Sequence, residues 1–157
     1  MTTSPLSPEE QARRRAWFRQ HWETGVAFNR TCGVTVRRWD PDGVELVMPY
    51  SDALSAHPGV FHGGAVATLI DTAGGAAVMA GHDFNHGSRL STVAMSVQYL
   101  AAARGETVVA FARCTRRGRR THFADVMVQM ESGVAVAQGL VTVTIGGERA
   151  GVTLGSP

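Results

Sequence analysis

The 157-residue chain contains no lysine; all fifteen of its basic residues are arginine. Set against thirteen Asp and Glu, they leave a formal charge of only +2. In the cluster Arg113, Arg116, Arg117, Arg119 and Arg120 no aromatics interleave with the arginines, which speaks against a nucleic-acid surface. So uniform a preference also fits a coding bias, and an arginine cluster here weighs less toward phosphate recognition. Cysteine is equally scarce. Cys32 and Cys114 alone make no disulfide framework, and no basic start followed by an apolar run marks a secretory segment. A cytoplasmic setting is the expectation. Nor does any run suit a membrane: Ala65 to Ala80 is short, glycine-rich and interrupted by Asp71. With no repeat and no linker, residues 26–148 read as one domain, preceded by a tail and helix over 1–25 and followed by a tail over 149–157.

What is present centres on His57-Pro58-Gly59-Val60-Phe61-His62-Gly63-Gly64, running into Ala65 to Ala80. Apart from Thr68, Thr72 and Asp71 this segment is apolar or glycine, so the spacing predicts a helix buried on every side. The carboxylate is expected to be buried with it. A buried charge needs partners or shifts its pKa, which makes Asp71 a candidate functional group. Gly63 and Gly64 open the helix, where free N–H groups and the positive end of the dipole favour an oxyanion. Asp71 lies seven residues beyond Gly64, on roughly the same face but about 10 Å along the axis. One carbonyl cannot touch both. If both serve one reacting centre, the natural solution is a two-fold dimer in which each site takes its amides from one chain and its Asp71 from the other.

Around this helix the pattern is extended. Ser7-Pro8-Glu9-Glu10 starts a helix reaching to about Glu23, with Ser7 as N-cap and Glu10 closing a capping box. Gly33 to Trp39 and Val44 to Pro49 form a hairpin about Asp40-Pro41-Asp42-Gly43. Ser51 to Phe61 reads as a loop, as does His82 to Ser88. Strands follow over Leu90 to Leu100, Thr107 to Thr115, His122 to Met130 and Val134 to Ile145. In the first of them Val93, Met95, Val97 and Tyr99 alternate with Thr92, Ala94, Ser96 and Gln98, so Thr92 falls on the less apolar face. One buried helix before a run of antiparallel strands is an α+β layout whose sheet must wrap the helix.

His62-Gly63-Gly64, the nine-residue step to Asp71, the strand ending in Gln98-Tyr99 and the late Ala137-Gln138-Gly139 together resemble the hotdog-fold thioesterases, in the branch of the phenylacetate-pathway and small acyl-CoA thioesterases. The resemblance spans about Val26 to Gly146. It implies an acyl-CoA hydrolase with sites shared across a homodimer, commonly a dimer of dimers, and no cofactor beyond the coenzyme A of the substrate. Gly64, with Gly63, would polarise the thioester oxygen, and Asp71 of the partner chain would act as base or nucleophile. Thr92 falls where relatives carry a water-orienting Ser or Thr, while His62 holds the loop at the helix start. The family's Asn six residues before that histidine is Ala56 here, with His57 adjacent as a substitute. His57 and Phe61 are expected beside the substrate, Phe61 with Met79, Met95 and Tyr99 as candidate acyl-tunnel residues.

Arg117, Gly118, Arg119 and Arg120, with Arg113 and Arg116, sit at a hairpin end where guanidinium groups suit the phosphates of CoA. His57, His62, His82 and His86 lie too far apart along the helix for a metal site. Two alternatives stand beside hydrolysis. A hotdog hydratase or dehydratase would pair His57 with Asp71, and a non-catalytic acyl-CoA-binding protein is compatible with Ala56.

Overall fold

In a computed structural model the described residues are 4–147, so the tail expected over 149–157 lies outside them. Ser7 caps α1 (Pro8–Gln20), accepting from the Glu10 N–H while the Glu10 carboxylate reaches back to the Ser7 N–H. The helix continues toward Glu23 as expected, but its last turn widens into a π-turn over His21–Gly25 before the short α2 (Ala27–Thr31). β1 (Thr35–Asp40) and β2 (Gly43–Met48) form the expected hairpin. The segment read as a loop over Ser51 to Phe61 is more ordered than that. It holds a 3-10 turn at Asp52–Leu54 and a ribbon of β3 (Ser55–His57) and β4 (Val60–Phe61). Pro58-Gly59 supplies its turn, since proline and glycine suit the two central positions.

The central helix, α3, runs Gly63–Ala80 and is followed by β5 (Arg89–Tyr99), β6 (Val108–Arg117), β7 (Thr121–Met130) and β8 (Ala135–Gly146). Six strands make one antiparallel sheet in the order β1-β2-β6-β7-β8-β5. Its inner face carries Val44, Leu46, Met48, Ala110, Val126, Val128, Val141 and Val143, all buried, and α3 packs across them. This is the α+β hotdog architecture, a sheet curled around one helix, with α1 docked outside. By composition α3 could pass for a membrane span, but it is the core helix of the domain, mostly buried within it.

Burial departs from expectation along one stripe of α3. Residues 73–80 are buried throughout, yet Gly64, Ala67, Thr68, Asp71 and Thr72 are wholly or partly exposed. The helix is therefore not covered on every side, and its carboxylate is half-buried rather than sealed in. Topology supplies the reason: β5 ends the sheet, and no further strand lies beyond it to cover that side.

β5 also departs from simple alternation. Its register with β8 shifts between Thr92 and Ala94, a bulge that lets Thr92 share the helix-facing side with Met95, Val97 and Tyr99. Thr92 was expected on the opposite face from those residues. An inserted residue re-aims the side chains on either side of it, which hydrophobic pattern alone does not reveal.

At the far end of α3, His82 and His122 pack edge to face with ring centroids 5.9 Å apart, and both are buried. Burial pushes the His82 imidazole down to about 4, with His122 and the Arg117 guanidinium adding to the effect. His122 is lowered too, first by burial and then by Arg117. In the unfolded chain these groups take up protons near 6.5. Between that value and about 4 the unfolded state binds more protons, so stability is complete above the window and falls as pH drops through it. Thermal melts at constant ionic strength are expected to show Tm level above pH 6.5 and falling by several degrees toward pH 4; a level Tm across the window contradicts this reading.

Candidate active site

α3 and β5 run side by side, and three contacts fix their alignment. At the helix start the Tyr99 hydroxyl donates to the Gly63 carbonyl at 2.8 Å. Two turns further on, the Thr92 hydroxyl donates to Asp71 Oδ1 at 2.8 Å. One turn beyond that, Leu90 lies over Gly75. Thr92 and Asp71, placed together by resemblance alone, are thus in direct contact, although 21 positions separate them. The hydroxyl occupies one carboxylate oxygen from the sheet side and leaves the other available.

The helix start is organised differently from expectation. His62 is the N-cap, and its Nδ1 accepts the Gly64 N–H at 2.8 Å. The Gly64 amide expected to face a ligand is therefore occupied within the chain. Gly63, at the first helical position, has no intrahelical acceptor for its N–H and is the better-placed donor. A side chain would be crowded at either glycine. A Cβ on Gly63 would come within 3.3 Å of the Tyr99 ring, and one on Gly64 within 2.8 Å of His62 Nδ1. The crowding here comes from side chains of the chain itself.

A hollow of about 320 Å³ opens beside this helix start, lined by Phe61, Gly63, Val66, Tyr99, Ala103 and Val136 among others. Phe61 is buried and meets Tyr50 edge to face, so it forms the floor of the hollow rather than a free contact. Of the other tunnel candidates, Met79 is fully buried core, whereas Met95 on β5 is exposed. His57 stands exposed beside the β3–β4 turn.

The arginine cluster divides. Arg117 donates to the Val78 carbonyl at 2.7 Å and to that of Ala77 at 3.2 Å. Its charge thus closes the C-terminal end of α3, a structural role that takes it away from the phosphate contact expected of it. Arg113 pairs with Asp125. Gly118 forms the tight β6–β7 turn, its N–H donating to Thr121, while Arg116, Arg119 and Arg120 remain exposed. Among the described residues no group of three metal-ligating side chains is gathered in one place.

Sequence reading missed two features here. One is the Tyr99 bond to the helix start, which spans 36 positions. The other is the indole of Trp22, whose Nε1–H donates to the Thr72 carbonyl at 3.0 Å, next to Asp71. The cluster of Trp17, Phe18, His21 and Trp22 marked a docking face but not its destination.

A sheet-wrapped helix with an amide at its N-terminus and a carboxylate two turns on, beside an uncovered edge, defines the hotdog class of thioester enzymes. The family model described as the thioesterase superfamily matches residues 58–137. A Halobacterium salinarum protein provisionally named an esterase is 35% identical over 109 residues, covering 68% of this chain and 72% of that one. The chain belongs to the thioesterase superfamily and is a thioester hydrolase. The medium/long-chain acyl-CoA thioesterase YigI of Escherichia coli is 24% identical over 134 residues, 77% of this chain and 86% of its own. A Shewanella oneidensis structure related to the same superfamily superposes with a TM-score of 0.77 at 26% identity, covering 89% of this chain and all of that one. The Escherichia coli PaaI protein from the phenylacetic acid degradation operon shares the fold, with a TM-score of 0.73 at 21% identity over 85% of this chain and 94% of its own.

The N-cap carries a stability prediction. His62→Ala removes the acceptor for the Gly64 N–H and is expected to cost about 1 kcal/mol in urea unfolding, whereas His62→Asn, a good N-cap, retains most of that stability. Equal losses in the two variants contradict the capping role.

Proposed function

We propose that the protein hydrolyses acyl-CoA thioesters to the free acid and CoA, at two sites shared between the subunits of a homodimer. The observation that carries this reading is the Asp71–Thr92 pair on an uncovered stripe of α3 beside a free sheet edge. Along one helix Gly63 and Asp71 are about 12 Å apart, too far to serve one carbonyl. On β5, Val93 is 57% exposed, Met95 42%, Tyr99 56% and Leu100 52%. An apolar edge strand of this length invites pairing with another chain. A second copy, related by a two-fold axis and paired along β5, would bring its own helix stripe against this one and set each Gly63 near the partner subunit's Asp71.

In that arrangement the Gly63 N–H polarises the thioester oxygen. Asp71 of the partner subunit, oriented by its Thr92, takes the proton of an attacking water. The tetrahedral adduct collapses with cleavage of the C–S bond, and the departing thiolate recovers a proton. The apolar hollow at the helix start takes the pantetheine arm, with Arg119 and Arg120 left as phosphate contacts and Arg117 withdrawn from that role. Similarity over most of the chain to a protein named as a medium/long-chain acyl-CoA thioesterase, YigI, supports CoA esters as the substrate class. The exposed outer sheet face, with Phe111, Phe123 and Leu140, offers the contact for a dimer of dimers. Two free cysteines suit the reducing cytoplasm.

The test is thiol release from short, long and aromatic CoA esters. Asp71→Asn is expected to lower kcat by about 100- to 10,000-fold while retaining ester binding, and Thr92→Val to lower it less, with Thr92→Ser restoring the rate. Val93→Asp, placed at the free edge, is expected to yield folded, inactive monomers by light scattering. Undiminished turnover in Asp71→Asn, or an active monomer, would overturn the reading.

A further inference from the structure

Asp71 and Gly75 are one turn apart on α3 and face the same way. The wall beyond Asp71 is made by a residue from outside the sheet and helix core. The six-membered ring of Trp22 lies over Gly75, where a Cβ would meet Trp22 Cζ2 at 3.3 Å and Leu90 Cδ2 of β5 at 3.5 Å. Leu90 precedes Thr92 on the helix-facing side of β5, so the wall lies on the side of the Asp71–Thr92 pair away from Gly63.

Several polar contacts place this indole. Its Nε1–H donates to the Thr72 carbonyl at 3.0 Å. The Trp22 carbonyl accepts from the buried Asn29 side chain at 2.8 Å, and the neighbouring Glu23 carboxylate accepts the Val36 N–H at 2.6 Å. Trp22 also leans on Trp39 of β1, with ring centroids 5.7 Å apart. It belongs to the π-turn His21–Gly25, an irregularity that shifts side-chain direction and recurs at functional sites. Docking a helix needs only an apolar face. Holding Trp22 by its ring nitrogen and by its backbone carbonyl fixes the position of the indole.

The two sides of Asp71 differ chemically. Toward the helix N-terminus lie the exposed Gly64 and the half-buried Thr68. Toward the C-terminus the surface is apolar and closed, made of Gly75, Trp22 and Leu90. In the proposed dimer the stripe toward Gly64 faces the second copy, and the hollow at the helix start takes the pantetheine arm. The acyl chain of a thioester held at Asp71 would therefore lie against the apolar residues on its other side, Trp22 and Leu90.

We infer that Trp22, with Leu90, forms the end wall of the acyl site and sets the length of acyl chain accepted. The inference rests on the reading of Asp71 as the catalytic carboxylate. Trp22→Ala removes the wall from the helix side and Leu90→Ala removes it from the strand side, whereas Trp22→Phe keeps an aromatic wall without the Nε1 donor.

The experiment compares these three variants with the native protein, each first shown to be folded by circular dichroism. It measures kcat/KM over straight-chain acyl-CoA esters from acetyl to palmitoyl, and calorimetric binding of the corresponding non-hydrolysable thioethers. Trp22→Ala and Leu90→Ala are expected to move the longest accepted chain upward, raising the long-to-short kcat/KM ratio by at least about tenfold, while Trp22→Phe keeps the native profile. Should Trp22→Ala fail to fold, Leu90→Ala carries the same test. An unchanged length profile in a folded, active alanine variant overturns the wall. If the native protein binds thioethers without hydrolysing esters, the hydrolase reading fails alone, and the wall stands or falls on whether the binding cut-off moves with the substitution. Affinity independent of chain length in every variant overturns it.

Discussion

A single sheet can curl around an apolar helix only as far as its strands extend, and here it stops one strand short of the side that carries the carboxylate. The rest of the structure follows from that limit. The buried half of α3 is held by tightly packed aliphatic residues of five strands, and its C-terminal carbonyls are closed by Arg117. The uncovered stripe cannot be satisfied by the same means. It carries Asp71, and the adjacent edge strand turns Thr92 toward that carboxylate through a bulge. An incomplete enclosure and the candidate catalytic carboxylate therefore occupy the same place, which is where the proposed second copy of the chain would sit.

The two ends of α3 divide the remaining work. At the start, His62 and Tyr99 take up a backbone N–H and a backbone carbonyl and leave the first helical amide as the available donor. Rigid placement matters because a hydrogen bond to a developing oxyanion is strong only when its donor is already aimed. At the other end, Arg117, His82 and His122 form a packed polar group whose function is structural and whose histidines resist protonation. Positive charge near a helix C-terminus is favourable in itself. For that reason an arginine beside a helix end is weak support for a phosphate site.

Much of this was legible before any coordinates. The capping box at Ser7, the Asp40 to Gly43 turn, the central helix and the four later strands rest on local signals, and all of them stand in the structure. The Asp71–Thr92 pairing came only through resemblance, because the contact joins a helix to a strand across a fold whose register no local pattern encodes. Three features were hidden for the same reason. The bulge at Val93 shifts a register without changing composition, the Trp22 indole reaches α3 across 50 positions, and Arg117 turns away from its hairpin to the helix end. Burial of Asp71 was overestimated because an apolar sequence predicts that a helix is covered without saying by how many chains.

The central claim is that each reacting centre draws on two subunits, and subunit complementation tests it most directly. Gly63→Pro removes the first helical N–H, while proline suits that helical position and the extended backbone of His62 before it. Asp71→Asn removes the carboxylate. Each variant alone is expected to be inactive. After unfolding and refolding as an equal mixture, half of the dimers carry one intact site, so about a quarter of the native thiol release should return. If the mixture stays as inactive as its components although mixed dimers have formed, the amide and the carboxylate act within one chain, and the shared site is wrong.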